Sequence, residues 1–403
     1  MVLSNTSLRA EGDTIHSPKT RISWIDEFKG FVLLLVCLFH IEQTFPNAHL
    51  GAWHLSALRM SSFFFISGVL FSTKRFSNFK SYFNHKTKVL LLPYLYLSFL
   101  FFAIDPIVYN FALYPKSPTM TVVNTIPDIN NTWQYIYWNF AKIFIAGKSS
   151  VGAGPLWFVF TLYSVSLIFY WLHQLSNKFV SRTMFITVMS IEGLLCGWLL
   201  NTNHFHLPLG IERDLTILFF FGCGWLCKEP IKKIHSAISA SAANVTKNTT
   251  LVAAVCIISF VAYGFLESPS QNFSIMNNDL GKSLFQFVAS SITGIVGLIA
   301  TFLLASKIPD IAPIRITKGI LRNISRNALV ILAVHWWIVL MLRIFFRPQI
   351  NQPGIAYIAI PIVALGTIAA IPLFRCRLYK LLGKERITVK ESLSINELAF
   401  KSK

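Results

Sequence analysis

Apolar runs of about twenty residues recur from one end of the chain to the other, each parted from the next by a polar link. At ~1.5 Å of rise per residue, such a run spans the ~30 Å hydrocarbon core of a bilayer. Backbone groups in lipid must be satisfied internally, so runs of this length predict helices, and the fold class is all-α: a polytopic membrane helix bundle. Predicted spans lie at 28–47, 53–72, 89–109, 155–173, 183–200, 213–228, 250–267, 283–305, 327–346 and 355–374, about ten transmembrane helices. The 403 residues are 54% hydrophobic and only 13% charged, with 36 Phe, which excludes an ordinary soluble domain. The first twenty-odd residues are polar and hold no apolar core, so no cleavable signal peptide is expected.

Basic residues set the expected orientation. With an even number of spans both termini share a side, and 28 of the 36 Lys and Arg then fall on the side of the termini, leaving 8 for the opposite loops and the helix interiors. Lys and Arg are retained in the cytoplasm during insertion, so both termini are expected to be cytoplasmic. The organisation that follows is a cytoplasmic N-terminal segment at 1–27, a membrane domain at 28–374 and a basic cytoplasmic tail at 375–403. A net charge of +19 would suggest nucleic acid in a soluble protein, but here it sits in loops that flank the membrane, so no nucleic-acid partner is expected.

One link is long. The external segment 110–154 has an aromatic middle, "TWQYIYWNF", suited to the head-group level. It reads either as a lid over a sugar-like acceptor or as a loop resting on the membrane. Five of the six cysteines fall inside spans; Cys223 and Cys227 share a helix face but bring no His or carboxylate partners, so no metal is expected. No internal repeat is visible, which weighs against transporter folds built from duplicated halves.

Ionisable groups inside spans are costly and point to function. In "WIDEFKGFVLLLVCLFH", Lys29 and His40 are eleven residues apart, about three turns plus 20°, and so leave one helix face about 16 Å apart along the axis. Glu42 follows two residues later. Arg59 should share a depth with His40 on the antiparallel second span, and could pair with Glu42. His335, among aromatics in "AVHWW", reads first as a helix–helix contact and otherwise as a substrate contact. Glu192 reads as a proton-handling carboxylate or as the partner of a polar neighbour. Ser67 has the small-residue context of close helix packing. No nucleophile motif is present, so chemistry would rest on a histidine base with cationic help, which suffices for acyl transfer.

The chain resembles the acyltransferase-3 family of integral membrane acyltransferases, in particular the branch resembling fucose 4-O-acetylases. The resemblance rests on Asp26, Lys29 and His40 in "IDEFKGFVLLLVCLFH", on "FFFISGVLF" from Phe63, on "KTKVLLLPY", on the pair Trp157 and Phe158, and on "ISRNALVILAVH" ending at His335. It implies O-acyl transfer, commonly of acetyl, from cytoplasmic acetyl-CoA to a sugar hydroxyl of an extracytoplasmic or lipid-linked glycan. His40 would be the essential histidine, with Arg59 as its catalytic partner and Glu42 and His335 as candidate substrate contacts. Lys29, which stands where arginine is commoner, would bind the donor together with Lys74, Arg75, Lys86, Lys88 and Trp157. The expected setting is the bacterial inner membrane, crossed several times. Two other classes compete: an exporter of polysaccharide or lipid-linked sugar, which would need no coenzyme A, and a structural or sensing membrane subunit, which would tolerate loss of His40.

Overall fold

A computed structural model describes residues 22–45, 47–111, 131–145, 147, 151–239, 244–267 and 273–384. Most of the expected N-terminal segment and tail, and 112–130 of the long external segment, lie outside the described residues.

Fifteen helices follow in order among the described residues: α1 Ser23–Thr44, α2 Ser56–Val69, α3 Phe79–Lys86, α4 Leu92–Phe102, α5 Asp105–Asn110, α6 Thr132–Ile145, α7 Trp157–Leu175, α8 Arg182–Thr202, α9 Ile211–Leu226, α10 Lys228–Ser239, α11 Asn244–Leu266, α12 Leu284–Ala305, α13 Ala312–Arg326, α14 Ala328–Phe345 and α15 Pro353–Cys376. Among the described residues there is no strand, only a single β-bridge between Ser274 and Asp279. The chain is an all-α, multi-pass helix bundle.

Nine of the ten predicted spans fall each on one helix, and the remaining one, 89–109, is divided between α4 and α5. Six stretches among the described residues are long and apolar enough to cross a membrane by length and composition: Gly152–Lys178, Arg182–Thr202, Val245–Leu266, Leu284–Ala305, Ala328–Phe345 and Pro353–Cys376. The other four differ for physical reasons. Helix α1 is continuous, but Asp26, Glu27, Lys29 and Glu42 break up its apolar run. Helix α2 has 14 residues. Helix α4 stops at Phe102 and the chain restarts as α5. Helix α9 has 16 residues and opens on Glu212, Arg213 and Asp214.

Local sequence explains several boundaries. Asn78, Ser181 and Ser283 cap α3, α8 and α12 by accepting the backbone N–H three residues on. Pro93 lacks an N–H and crowds the preceding turn, and the backbone widens into a π turn at Thr87–Leu91 just ahead of it.

Small residues set the closest crossings. A Cβ added at Gly68 would lie 1.9 Å from the Phe221 carbonyl oxygen, and one at Gly224 would lie 1.9 Å from that of Phe65. The backbones of α2 and α9 therefore meet directly, glycine against carbonyl from both sides. The neighbouring Ser67 turns back on its own helix, its hydroxyl donating to the Phe63 carbonyl at 2.8 Å. Gly30 plays the same part between α1 and α13, where the Leu321 carbonyl would lie 2.0 Å from an added Cβ.

Candidate active site

Helices α1, α2 and α14 bring three of the ionisable residues singled out in the sequence, His40, Arg59 and His335, to one place. His40 near the end of α1 and His335 in the middle of α14 lie with ring centroids 5.3 Å apart, and Trp336 packs on His40 at 4.8 Å. His335 is fully buried. Its Nδ1 lies 2.6 Å from the carbonyl oxygen of Ile331, one turn back on the same helix. A carbonyl only accepts, so Nδ1 carries the proton and a neutral ring has its lone pair on Nε2. That Nε2 is buried without a hydrogen-bond partner. His40 is half-buried, and its Nδ1 lies 3.2 Å from Gln43 Oε1.

Arg59 joins this pair through Phe39, as the shared depth suggested. Its guanidinium carbon lies 3.9 Å from the Phe39 ring centroid, and that ring is 5.1 Å from His40 and 4.8 Å from Trp53. The anticipated ion pair between Arg59 and Glu42 does not form directly. Arg59 Nη1 donates to the Ala52 carbonyl. Glu42 is buried and accepts from the backbone N–H groups of Leu50 at 2.8 Å, Gly51 at 3.0 Å and Trp53 at 3.1 Å. Glu42 therefore faces the loop after α1.

A second feature lies at the other end of α1 and α2. A cleft of about 1300 Å³ is lined by Trp24 and Ile25 of α1, Ser67 of α2 and a set of cations: Lys74, Arg75, Lys86, Arg182, Lys228 and Lys232. Among the described residues, Glu229 is the only carboxylate in its wall. Of the residues expected to bind a donor, Lys74, Arg75 and Lys86 line this cleft, whereas Lys29, Lys88 and Trp157 do not. Arg182, Lys228 and Lys232 were legible only as part of the basic loop count. Trp157 packs on the buried Arg213, whose guanidinium lies 5.4 Å from its ring. Burial pushes the Lys86 ammonium down to about 8. His85 beside it is also lowered, first by burial and then by Lys86, Arg75 and Lys88.

Fifteen residues of helix separate Ile25 from His40, so the cleft and the histidine pair lie about 22 Å apart along α1. At the cleft end, Asp26 and Glu27 are buried against α13: Ser325 Oγ donates to Asp26 at 3.4 Å, and Arg322 Nε lies 3.8 Å from Glu27. Glu192 is exposed on the outer face of α8.

A cationic cleft and a paired-histidine site joined by the same two helices describe a membrane protein equipped for group transfer. The model of the family described as an acyltransferase domain matches residues 22–374. The chain belongs to that acyltransferase-3 family and is a multi-pass membrane acyltransferase. No curated protein and no solved structure matches it.

Proposed function

We propose that the protein moves an acyl group, commonly acetyl, from acyl-CoA bound in the cationic cleft to a sugar hydroxyl at the His40–His335 pair. The observation that carries this reading is the contact between the two rings, one of them with its free lone pair fixed on a buried Nε2. The cleft fits the donor: six cations and one carboxylate line a space open to a polyanionic nucleotide. The thioester arm would run along α1 and α2 towards His40.

At the pair, the acceptor oxygen attacks the thioester carbonyl while a histidine Nε2 takes its proton. The new C–O bond forms as the C–S bond breaks, and the proton passes to the departing thiolate. Arg59 supplies positive charge for the oxygen on which charge develops. In this reading ten helices cross, with the cleft cytoplasmic and the histidines towards the far side. The acceptor is an extracytoplasmic or lipid-linked glycan, for which the half-buried rings of Phe39 and Trp53 offer stacking faces. The setting is the bacterial inner membrane.

The test is transfer of label from acetyl-CoA into the glycan fraction by expression-matched variants. His40→Gln keeps a polar side chain but no basic ring nitrogen, and should lower transfer by about 10²–10⁴-fold. His335→Gln should also lose at least ~10²-fold, because the ring contact gives it more than a packing role. Wild-type labelling by His40→Gln would remove the histidine pair from the chemistry, and wild-type labelling by His335→Gln alone would return His335 to helix packing.

A further inference from the structure

Glu42 and Arg59 are both buried and face the same short loop from opposite sides. The loop between α1 and α2 turns at Gly51, whose φ of 74° lies in the left-handed region. A left-handed residue inside a turn lets successive backbone N–H groups point into one concavity, which suits an anion. Here the anion belongs to the chain: the N–H groups of Leu50, Gly51 and Trp53 converge on the two oxygens of Glu42.

The Trp53 N–H and the Ala52 carbonyl belong to one peptide group. In a trans peptide these two dipoles point to opposite edges of the same plane. One edge donates to Glu42 Oε2, and the other accepts from Arg59 Nη1. We infer that Glu42 is a positioning residue for Arg59, acting through the Ala52–Trp53 peptide as a bridged ion pair. The carboxylate fixes the plane of that peptide, the plane fixes the direction of the Ala52 carbonyl, and the carbonyl holds the guanidinium on the Phe39 ring beside His40. A hydrogen-bonded chain of this kind polarises along its length, so each end strengthens the other. Trp53 is drawn in by the same bond, and its ring closes on the edge of Phe39. In this role Glu42 acts through the loop, where its partners are the backbone N–H groups of Leu50, Gly51 and Trp53. This inference rests on the proposed role of Arg59 in transfer.

Glu42→Gln keeps the size of the side chain but replaces one accepting oxygen with an NH₂ group that cannot accept. Hydrogen exchange on the full-length protein in detergent is the first readout and needs no activity. The amides of Leu50, Gly51 and Trp53 should exchange faster in Glu42→Gln, while those in the middle of α1 and α2 stay as in wild type. Unchanged exchange in that loop would overturn the bridge. The second readout is a double-mutant cycle on acetyl transfer. Glu42→Gln alone should lower kcat by about 10- to 100-fold, as expected for a misplaced charge, with the donor KM unchanged within about twofold. Glu42→Asp, which keeps the carboxylate, should recover part of that kcat. In an Arg59→Lys background the further loss should fall below about twofold, since the group being positioned is already displaced. An undiminished loss in that background would show that Glu42 does not act through Arg59, and would overturn the inference while leaving the acyltransferase reading intact. Wild-type kcat in both Arg59→Lys and Arg59→Ala would instead remove Arg59 from the reaction, and the positioning role with it.

Discussion

Lys86 contributes its charge to the cleft only while its ammonium stays protonated, and burial holds that transition at about 8. Because the pKa is lowered from its ordinary value, the cation is present below about pH 8 and lost above it. The KM for acetyl-CoA should therefore rise between pH 7 and pH 9. In Lys86→Arg, whose guanidinium stays charged throughout, that rise should be reduced. Parallel pH profiles for the two proteins would place the donor phosphates away from Lys86. Among single residues, Lys29 and His40 were legible as a stripe because helical geometry is written in spacing. Arg59 was legible as a neighbour of His40 because antiparallel spans match depths. The partners of Glu42 were not, because backbone N–H groups carry no residue type and leave no trace in a sequence. His335 came into contact with His40 through the packing of α14 on α1, which no spacing within either helix encodes.

Apolar signal alone does not mark the helices that build the site, since α14, which carries His335, is as apolar as α11 and α15. Three of the six long apolar stretches among the described residues are mostly unburied, with 11% of the α11 window, 28% of the α8 window and 33% of the α15 window enclosed. They read clearly because an outward face in a membrane protein must be apolar. Helices α1, α2 and α9 read less clearly because they are enclosed by others and can carry charge there. The amphipathic α13 was visible only as a basic loop, since its inward face is built around a charge. Arg322 on that face lies 3.8 Å from Glu27, and both are buried. Removing one partner of a buried ion pair leaves the other uncompensated, at a cost of about 3–5 kcal/mol. Arg322→Leu should therefore lower the thermal midpoint in detergent, and adding Glu27→Leu should restore much of it. If the double variant is no more stable than Arg322→Leu, the pair is not what joins α13 to α1.

At the scale of the whole molecule, α1 and α2 run from the cationic cleft to the histidine pair, so a donor held at one end and an acceptor at the other would meet along them. The family and the all-α bundle were legible because membrane helices and ordered motifs are both written along the chain. The cleft was legible only in part, because its wall is assembled from loops far apart in sequence: residues near 74, 86, 182 and 230 meet only after folding. The most direct test of the account is sided labelling in sealed membrane vesicles. Labelled acetyl-CoA would be supplied to one face at a time, for the wild type and for His40→Gln at matched expression. The account predicts labelled glycan in wild-type vesicles only when the cytoplasmic face receives donor, and none above background in His40→Gln. Equal labelling from the opposite face, or wild-type labelling by His40→Gln, would contradict it.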